Sequence, residues 1–222
     1  MEKRWQFGRP DSGLIQALTE QLHISPVLAQ VLANRGIADA GEASHFLHDT
    51  LADMADPFLM KGMDAAVQRL EQAITENQRI VIYGDYDVDG ITSTSLVSSV
   101  LRDLGASPQF YIPERESEGY GLNEGALDQL SRQTDLLITV DCGISSYDLV
   151  RKFSPVLDMI ITDHHEPPDL IPPALAVLNP KQAGCPYPFK ELAGAGVAYV
   201  LCRALWQHHC QEDLPGYADL AA

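Results

Sequence analysis

The chain has 222 residues, 45% of them hydrophobic and 21% charged, a composition that supports a sizeable core and excludes disordered and fibrous classes. With 15 basic against 31 acidic residues the formal charge is −16, which excludes a protein whose main business is coating a phosphate backbone. Carboxylates gathered around bound cations would invert the local field, so an enzyme acting on nucleic acid stays open.

Residues 1–7 contain no apolar run of signal-peptide length, and nowhere do about 18 uncharged apolar residues follow one another. The expectation is a soluble, cytoplasmic protein with no membrane partner; no feature of the sequence specifies an oligomeric state. Cys142, Cys185, Cys202 and Cys210 lack the paired spacing of zinc knuckles and read as free thiols. His208-His209-Cys210 reads as a polar helix end rather than a metal site.

From residue 13 to about 76 the pattern is helical. Leu14, Ile15, Leu18 and Leu22 recur at helical spacing, and Ser25-Pro26 pairs an N-cap with a proline at the first helical position. Residues 1–78 are therefore expected to form a short helical lead-in, and residues 79–222 a second domain. At Arg79 the character changes to a β-branched and aromatic run, Ile80-Val81-Ile82-Tyr83, then an acidic turn, then Leu96, Val97, Val100, Leu101 and Leu104 at helical spacing, in a helix expected to begin near Thr92. Further strands are predicted at 109–112, 136–140, 157–161 and 175–178, with helices at 124–130 and 147–153. This alternation predicts an α/β fold with a mostly parallel sheet flanked by helices, whose strands read as continuous apolar runs because both faces are buried.

Three acidic motifs each follow a strand: Asp85-Tyr86-Asp87-Val88-Asp89-Gly90, Asp141-Cys142-Gly143 and Asp163-His164-His165. All three are expected at the edge of the sheet where ligands bind, beyond the carboxyl ends of the strands. If the first motif is extended, Asp85, Asp87 and Asp89 share a face, and three such carboxylates repel one another unless cations neutralise them. The competing reading is an acidic loop in which one aspartate caps the following helix and the others are solvated. Adding Asp141 and the histidines favours metal, because mixed carboxylate and imidazole donors suit manganese, magnesium or related ions. Adjacent strand residues point oppositely, so one imidazole of the pair is expected on metal and its neighbour toward substrate.

These motifs resemble the first three motifs of the DHH phosphoesterases. Within that superfamily the chain is similar to the RecJ exonuclease branch, through Leu32-Ala33-Asn34-Arg35-Gly36-Ile37, Asp56-Pro57-Phe58-Leu59-Met60, Gly119-Tyr120-Gly121-Leu122, Asn179-Pro180 and Cys185-Pro186-Tyr187-Pro188-Phe189-Lys190. The resemblance implies Asp87, Asp89, Asp141 and His164 as metal ligands, with Asp141 bridging two ions and Asp85 beside them. Tyr83 departs from the pattern: many members carry a metal-binding histidine there, so the first ion is expected to be held differently. The resemblance also implies a fourth acidic motif, which residues 217–222 approach and stop short of, and a second lobe that the chain does not include.

Two divalent ions, manganese or magnesium, would generate a nucleophile at neutral pH and clamp the scissile phosphate. His165 is expected to face the substrate, with Asp163 orienting the histidine pair. The implied activity is 5′ to 3′ digestion of single-stranded DNA to 5′ mononucleotides in recombination and repair, with single-strand-binding protein or a helicase as partners. Two other readings stand beside it: a DHH phosphoesterase of short oligonucleotides, nucleotide phosphates or pyrophosphate, and an inactive fragment or binding module.

Further substrate contacts are expected at Arg115 and Tyr120, a cation and a ring suited to a phosphate or an unstacked base, set against a glycine turn with a surface arginine. Gly194 and Gly196 open a helix whose N-terminus could receive phosphate, set against tight helix packing. Lys181 and Lys190 could flank a strand of nucleic acid, or be solvated loop lysines.

Overall fold

The computed structural model describes residues 11–220. The first ten residues and the last two, including the end of the run 217–222, lie outside them. The chain forms two compact units, one extending to Met54 and the other beginning at Ala55.

The first unit holds α1 (Ser12–Leu22), α2 (Pro26–Asn34) and α3 (Ala40–His48). Ser25 caps α2, its hydroxyl accepting from the Leu28 amide with Pro26 behind it, and Asp39 caps α3 in the same way. Leu18, Ala29, Leu32, Ile37 and Ala43 form a small core of its own.

The second unit contains α4 (Met63–Thr75), β1 (Ile80–Tyr83), α5 (Val88–Asp103), β2 (Gln109–Tyr111), α6 (Arg115–Glu118), α7 (Glu124–Leu130), β3 (Leu136–Val140), α8 (Tyr147–Phe153), β4 (Asp158–Thr162), β5 (Ala176–Leu178) and α9 (Gly194–Cys210). The division by packing does not fall at residue 78, because α4 packs against β5 and α9 and so belongs with the sheet. Its inward face is Met63, Ala66, Val67, Leu70 and Ala73, a helical stripe that only a neighbouring layer can bury.

All five strands are parallel, in the order β2-β1-β3-β4-β5. Ile82 pairs with Ile138, and Ile138 with Ile160. Alternation sends Val81, Tyr83, Leu137, Met159, Ile161 and Val177 to one face, where they pack with Leu127 and Leu130 of α7 and Val150 and Phe153 of α8. The intervening positions face the layer of α4, α5 and α9, in which α5 and α9 lie against each other. From β1 the chain runs outward to β2 and then returns past β1 to β3. The loops after β1 and β3 therefore diverge, opening the crevice that parallel sheets use for ligands.

Candidate metal centre

The loop after β1 does not run extended, so the alternating placement of Asp85, Asp87 and Asp89 is corrected. Asp87 is the N-cap of α5, its Oδ1 accepting from the Gly90 amide at 3.0 Å. The helix thus begins at Val88, not near Thr92, and Asp89 lies in its first turn. Val88 and Ile91 are exposed, so the apolar periodicity gives no sign of this first turn. Gly90 is required by space, because a Cβ there would lie 2.5 Å from the Asp85 carbonyl oxygen and 2.6 Å from its nitrogen.

Asp85 is buried, and its Oδ1 accepts from the Tyr86 amide at 2.8 Å. Burial, with the like charge of Asp87, pushes its carboxyl above the ordinary range. Asp89 reaches across to α9, where Oδ2 accepts from the Gly194 amide at 2.7 Å and Oδ1 from the Ala195 amide at 2.6 Å. The first free amides of a helix are a natural seat for a carboxylate. That seat is filled, so of the two readings of Gly194 and Gly196 the geometry matches packing. A Cβ on Gly194 would lie 2.4 Å from Asp141 Oδ1, and one on Gly196 3.0 Å from Leu192.

Asp141 leaves the end of β3 in the left-handed region, with φ of 60°, an unusual conformation for a residue with a side chain. It is 1% exposed, and its Oδ1 has no hydrogen-bond partner. Burial, compounded by the charges of Asp89, Asp87, Asp163 and Asp85, pushes its carboxyl up to about 8. His164 Nε2 stands 3.2 Å from Asp141 Oδ1 and 3.6 Å from Asp89 Oδ2.

Asp163 is buried at the end of β4. Its Oδ2 accepts from the Ile144 amide at 2.9 Å, and its Oδ1 accepts from the amides of His164 and His165 at 2.7 and 3.0 Å and lies 2.8 Å from His165 Nδ1. It fixes both the turn and the second imidazole. The two histidine rings do not diverge, a second correction: their centroids are 4.5 Å apart. The strand stops at Thr162, so the pair sits in a turn to which strand alternation does not apply.

Donor atoms of Asp85, Asp87 and Asp141 all lie within 4.8 Å of one another, as do those of Asp141, His164 and His165. Asp141 is common to both sets. A buried carboxyl oxygen without a hydrogen-bond donor, ringed by acids and an imidazole, fits divalent cations, whose binding would displace the proton that burial and like charges hold on Asp141. Asp89 lies beside this group, its Oδ2 3.6 Å from His164 Nε2 and its charge raising the Asp141 pKa. Tyr83 is buried, its hydroxyl donating to the Gly121 carbonyl at 3.0 Å and accepting from Asn123.

Of the other expected residues, the Arg115 guanidinium lies 5.2 Å from the centre of the Tyr86 ring, a cation–π contact, and Tyr120 places its hydroxyl 3.2 Å from His165 Nδ1. Lys190 donates to the Cys185 carbonyl at 2.7 Å, and Lys181 faces Glu191 at 3.6 Å. Asn179 carries more than its motif suggested: fully buried, it donates to the His165 carbonyl at 2.9 Å and accepts from the Lys181 amide. Cys142, Cys185, Cys202 and Cys210 are free thiols; His209 bonds Glu71 instead of joining Cys210.

A parallel α/β sheet whose switch point carries this acid and histidine cluster defines the class. Residues 79–222 match the model of the DHH family, N-terminal domain, and the chain belongs to that family. It is 50% identical over 204 residues to the single-stranded-DNA-specific exonuclease RecJ of Bacillus subtilis, covering 91% of this chain and 26% of that protein. It is 39% identical over 185 residues to the same enzyme of Escherichia coli, covering 82% and 31%. The crystal structure of RecJ from Thermus thermophilus in complex with Mn2+ superposes with a TM-score of 0.76 at 31% identity, over 96% of this chain and 30% of that one. The chain thus spans less than a third of the length of these relatives.

Proposed function

We propose that the chain carries the phosphodiesterase centre of a RecJ-like exonuclease that degrades single-stranded DNA from the 5′ end to 5′ mononucleotides, in cytoplasmic recombination and repair. The observation that carries this reading is the orphaned Oδ1 of buried Asp141, shared between two donor sets, in a fold matching RecJ. Asp85, Asp87, Asp89, Asp141 and His164 would hold two divalent ions, manganese or magnesium. When bound, such ions lower the pKa of water and neutralise charge on the scissile phosphate.

The chain's own groups do the rest. Asp163, saturated by three amides, holds the His165 ring beside the cluster, where it can contact a phosphate oxygen. Asp89 ties the start of α5 to the start of α9 and so fixes the spacing of the first acidic motif. Arg115, stacked on Tyr86, offers a cation to the entering strand. Because the formal charge is −16, attraction for DNA resides at the metal site and not over the surface. A single-strand-binding protein or a helicase would present the strand. No helix among the described residues is long and apolar enough to cross a membrane.

The test is hydrolysis of end-labelled single-stranded DNA, a dinucleotide and pyrophosphate with manganese or magnesium, by this chain, by a version extended as its relatives are, and by Asp141→Ala. Release of 5′ mononucleotides, reduced more than about a hundredfold by Asp141→Ala, is expected; turnover of the small substrates alone would replace this reading with a small-substrate phosphoesterase.

A further inference from the structure

The ladder between β4 and β5 ends just before the acid and histidine cluster, at the pair Thr162 and Leu178. Its final rung is the Asp163 amide donating to the Leu178 carbonyl at 3.0 Å. In a parallel pair the following rung takes its donor two residues further along the second strand. That position is Pro180, which has no N–H to give. The ladder therefore cannot extend under the turn that carries His164 and His165.

The Asn179 side chain supplies the connection instead. It is fully buried; Nδ2 donates to the His165 carbonyl oxygen at 2.9 Å, and Oδ1 accepts from the Lys181 amide at 2.8 Å. The second bond closes an Asx turn over Pro180. It also fixes which end of the side-chain amide faces which partner, because only Oδ1 can meet an N–H and only Nδ2 a carbonyl. At the start of the same turn, Asp163 Oδ1 accepts from the His164 and His165 amides. The turn is thus held at one end by Asp163 and at the other by Asn179, and on it His164 sets Nε2 3.2 Å from Asp141 Oδ1.

We infer that Asn179 is a positioning residue for the candidate metal centre: it anchors the His164-His165 turn to the end of β5 and so holds both imidazoles at the cluster, a role separate from closing its own loop. A side chain replaces the rung that Pro180 removes, which gives the Asn179-Pro180 pair a single physical sense. The binding and kinetic parts of the test rest on the reading of the cluster as a cation and phosphodiester site, whereas amide exchange in metal-free protein does not.

The experiment compares wild type, Asn179→Ala and Asn179→Ser. Alanine loses both bonds. Serine can close the equivalent local turn on the Lys181 amide but is too short to reach across to His165, so it separates the two roles. In metal-free protein, hydrogen–deuterium exchange at the His164 and His165 amides, taken relative to the amides of β3, should quicken about tenfold in both variants, the worth of one buried hydrogen bond. The Kd for Mn2+ should rise by a similar factor, and kcat on single-stranded DNA at saturating Mn2+ should fall. Unchanged exchange at the two histidines in Asn179→Ser overturns the inference and leaves Asn179 a residue of its own loop. Quickened exchange with wild-type Mn2+ affinity overturns it too, since the turn then moves without consequence for the centre. If Asn179→Ala does not fold, Asn179→Ser decides alone. Absence of Mn2+ binding by wild type sinks the cation reading, and absence of DNA hydrolysis the exonuclease reading; in either case the exchange decides.

Discussion

The two ends of the sheet treat the same residue type in opposite ways. At the amino ends of the strands the charges are paired: the Arg69 Nε donates to Asp158 at 2.7 Å and its Nη2 to the Asp135 carbonyl, while Arg79 forks onto Asp135 through Nε and Nη2. Those bonds from Arg79 hold the Asp135 carboxyl down at about 2. At the carboxyl ends Asp85, Asp87, Asp89, Asp141 and Asp163 converge beside backbone amides and histidines, with no arginine paired to them as at the other end among the described residues, and Asp141 rises to about 8. Compensated charge marks where the fold is held together; uncompensated charge marks where something else must bind.

The largest expected effect breaks the comparison by supplying the missing charge. The Asp141 carboxyl is raised in the folded state, so the native protein binds the extra proton, and the slope of stability with pH is negative between the ordinary carboxylate value and about 8. Metal-free protein should lose stability as pH rises through that window in chemical denaturation, and saturating magnesium should abolish or reverse the trend. Next come Gly90→Ala and Gly194→Ala, whose new methyl groups collide with the Asp85 backbone and the Asp141 carboxylate. Each should lower stability by about 1 to 3 kcal/mol and weaken divalent-ion binding, as read by denaturation and titration. Smallest, Arg69→Ala at the opposite end should cost about 1 to 2 kcal/mol, since Asp158 is half exposed and partly resolvated, while leaving ion binding unchanged.

Much of this was legible in the sequence because burial on both faces leaves a simple mark. Leu136–Val140, Glu124–Leu130 and Tyr147–Phe153 fall where the apolar runs and helical spacing put them, and Ser25-Pro26 opens α2 as its chemistry requires. The acidic cluster could be placed at one sheet edge because each motif follows a strand. Its local geometry was less legible. A capping aspartate starts α5 four residues early, a strand that ends at Thr162 leaves the histidines in a turn, and Asp89 finds its partners 105 and 106 residues away, a pairing that spacing does not encode. Nor does the sequence distinguish a glycine needed for phosphate from one needed because Asp141 occupies the space where its Cβ would be.

Whether the crowded carboxylates are a cation site is decided most directly by titrating the chain with Mn2+, following free ion by electron paramagnetic resonance, in wild type and in Asp141→Asn, which keeps the shape and removes the charge. A two-ion centre predicts about two bound equivalents in wild type and a loss of at least one in the variant. Equal binding by the two, or no binding by wild type, would contradict it.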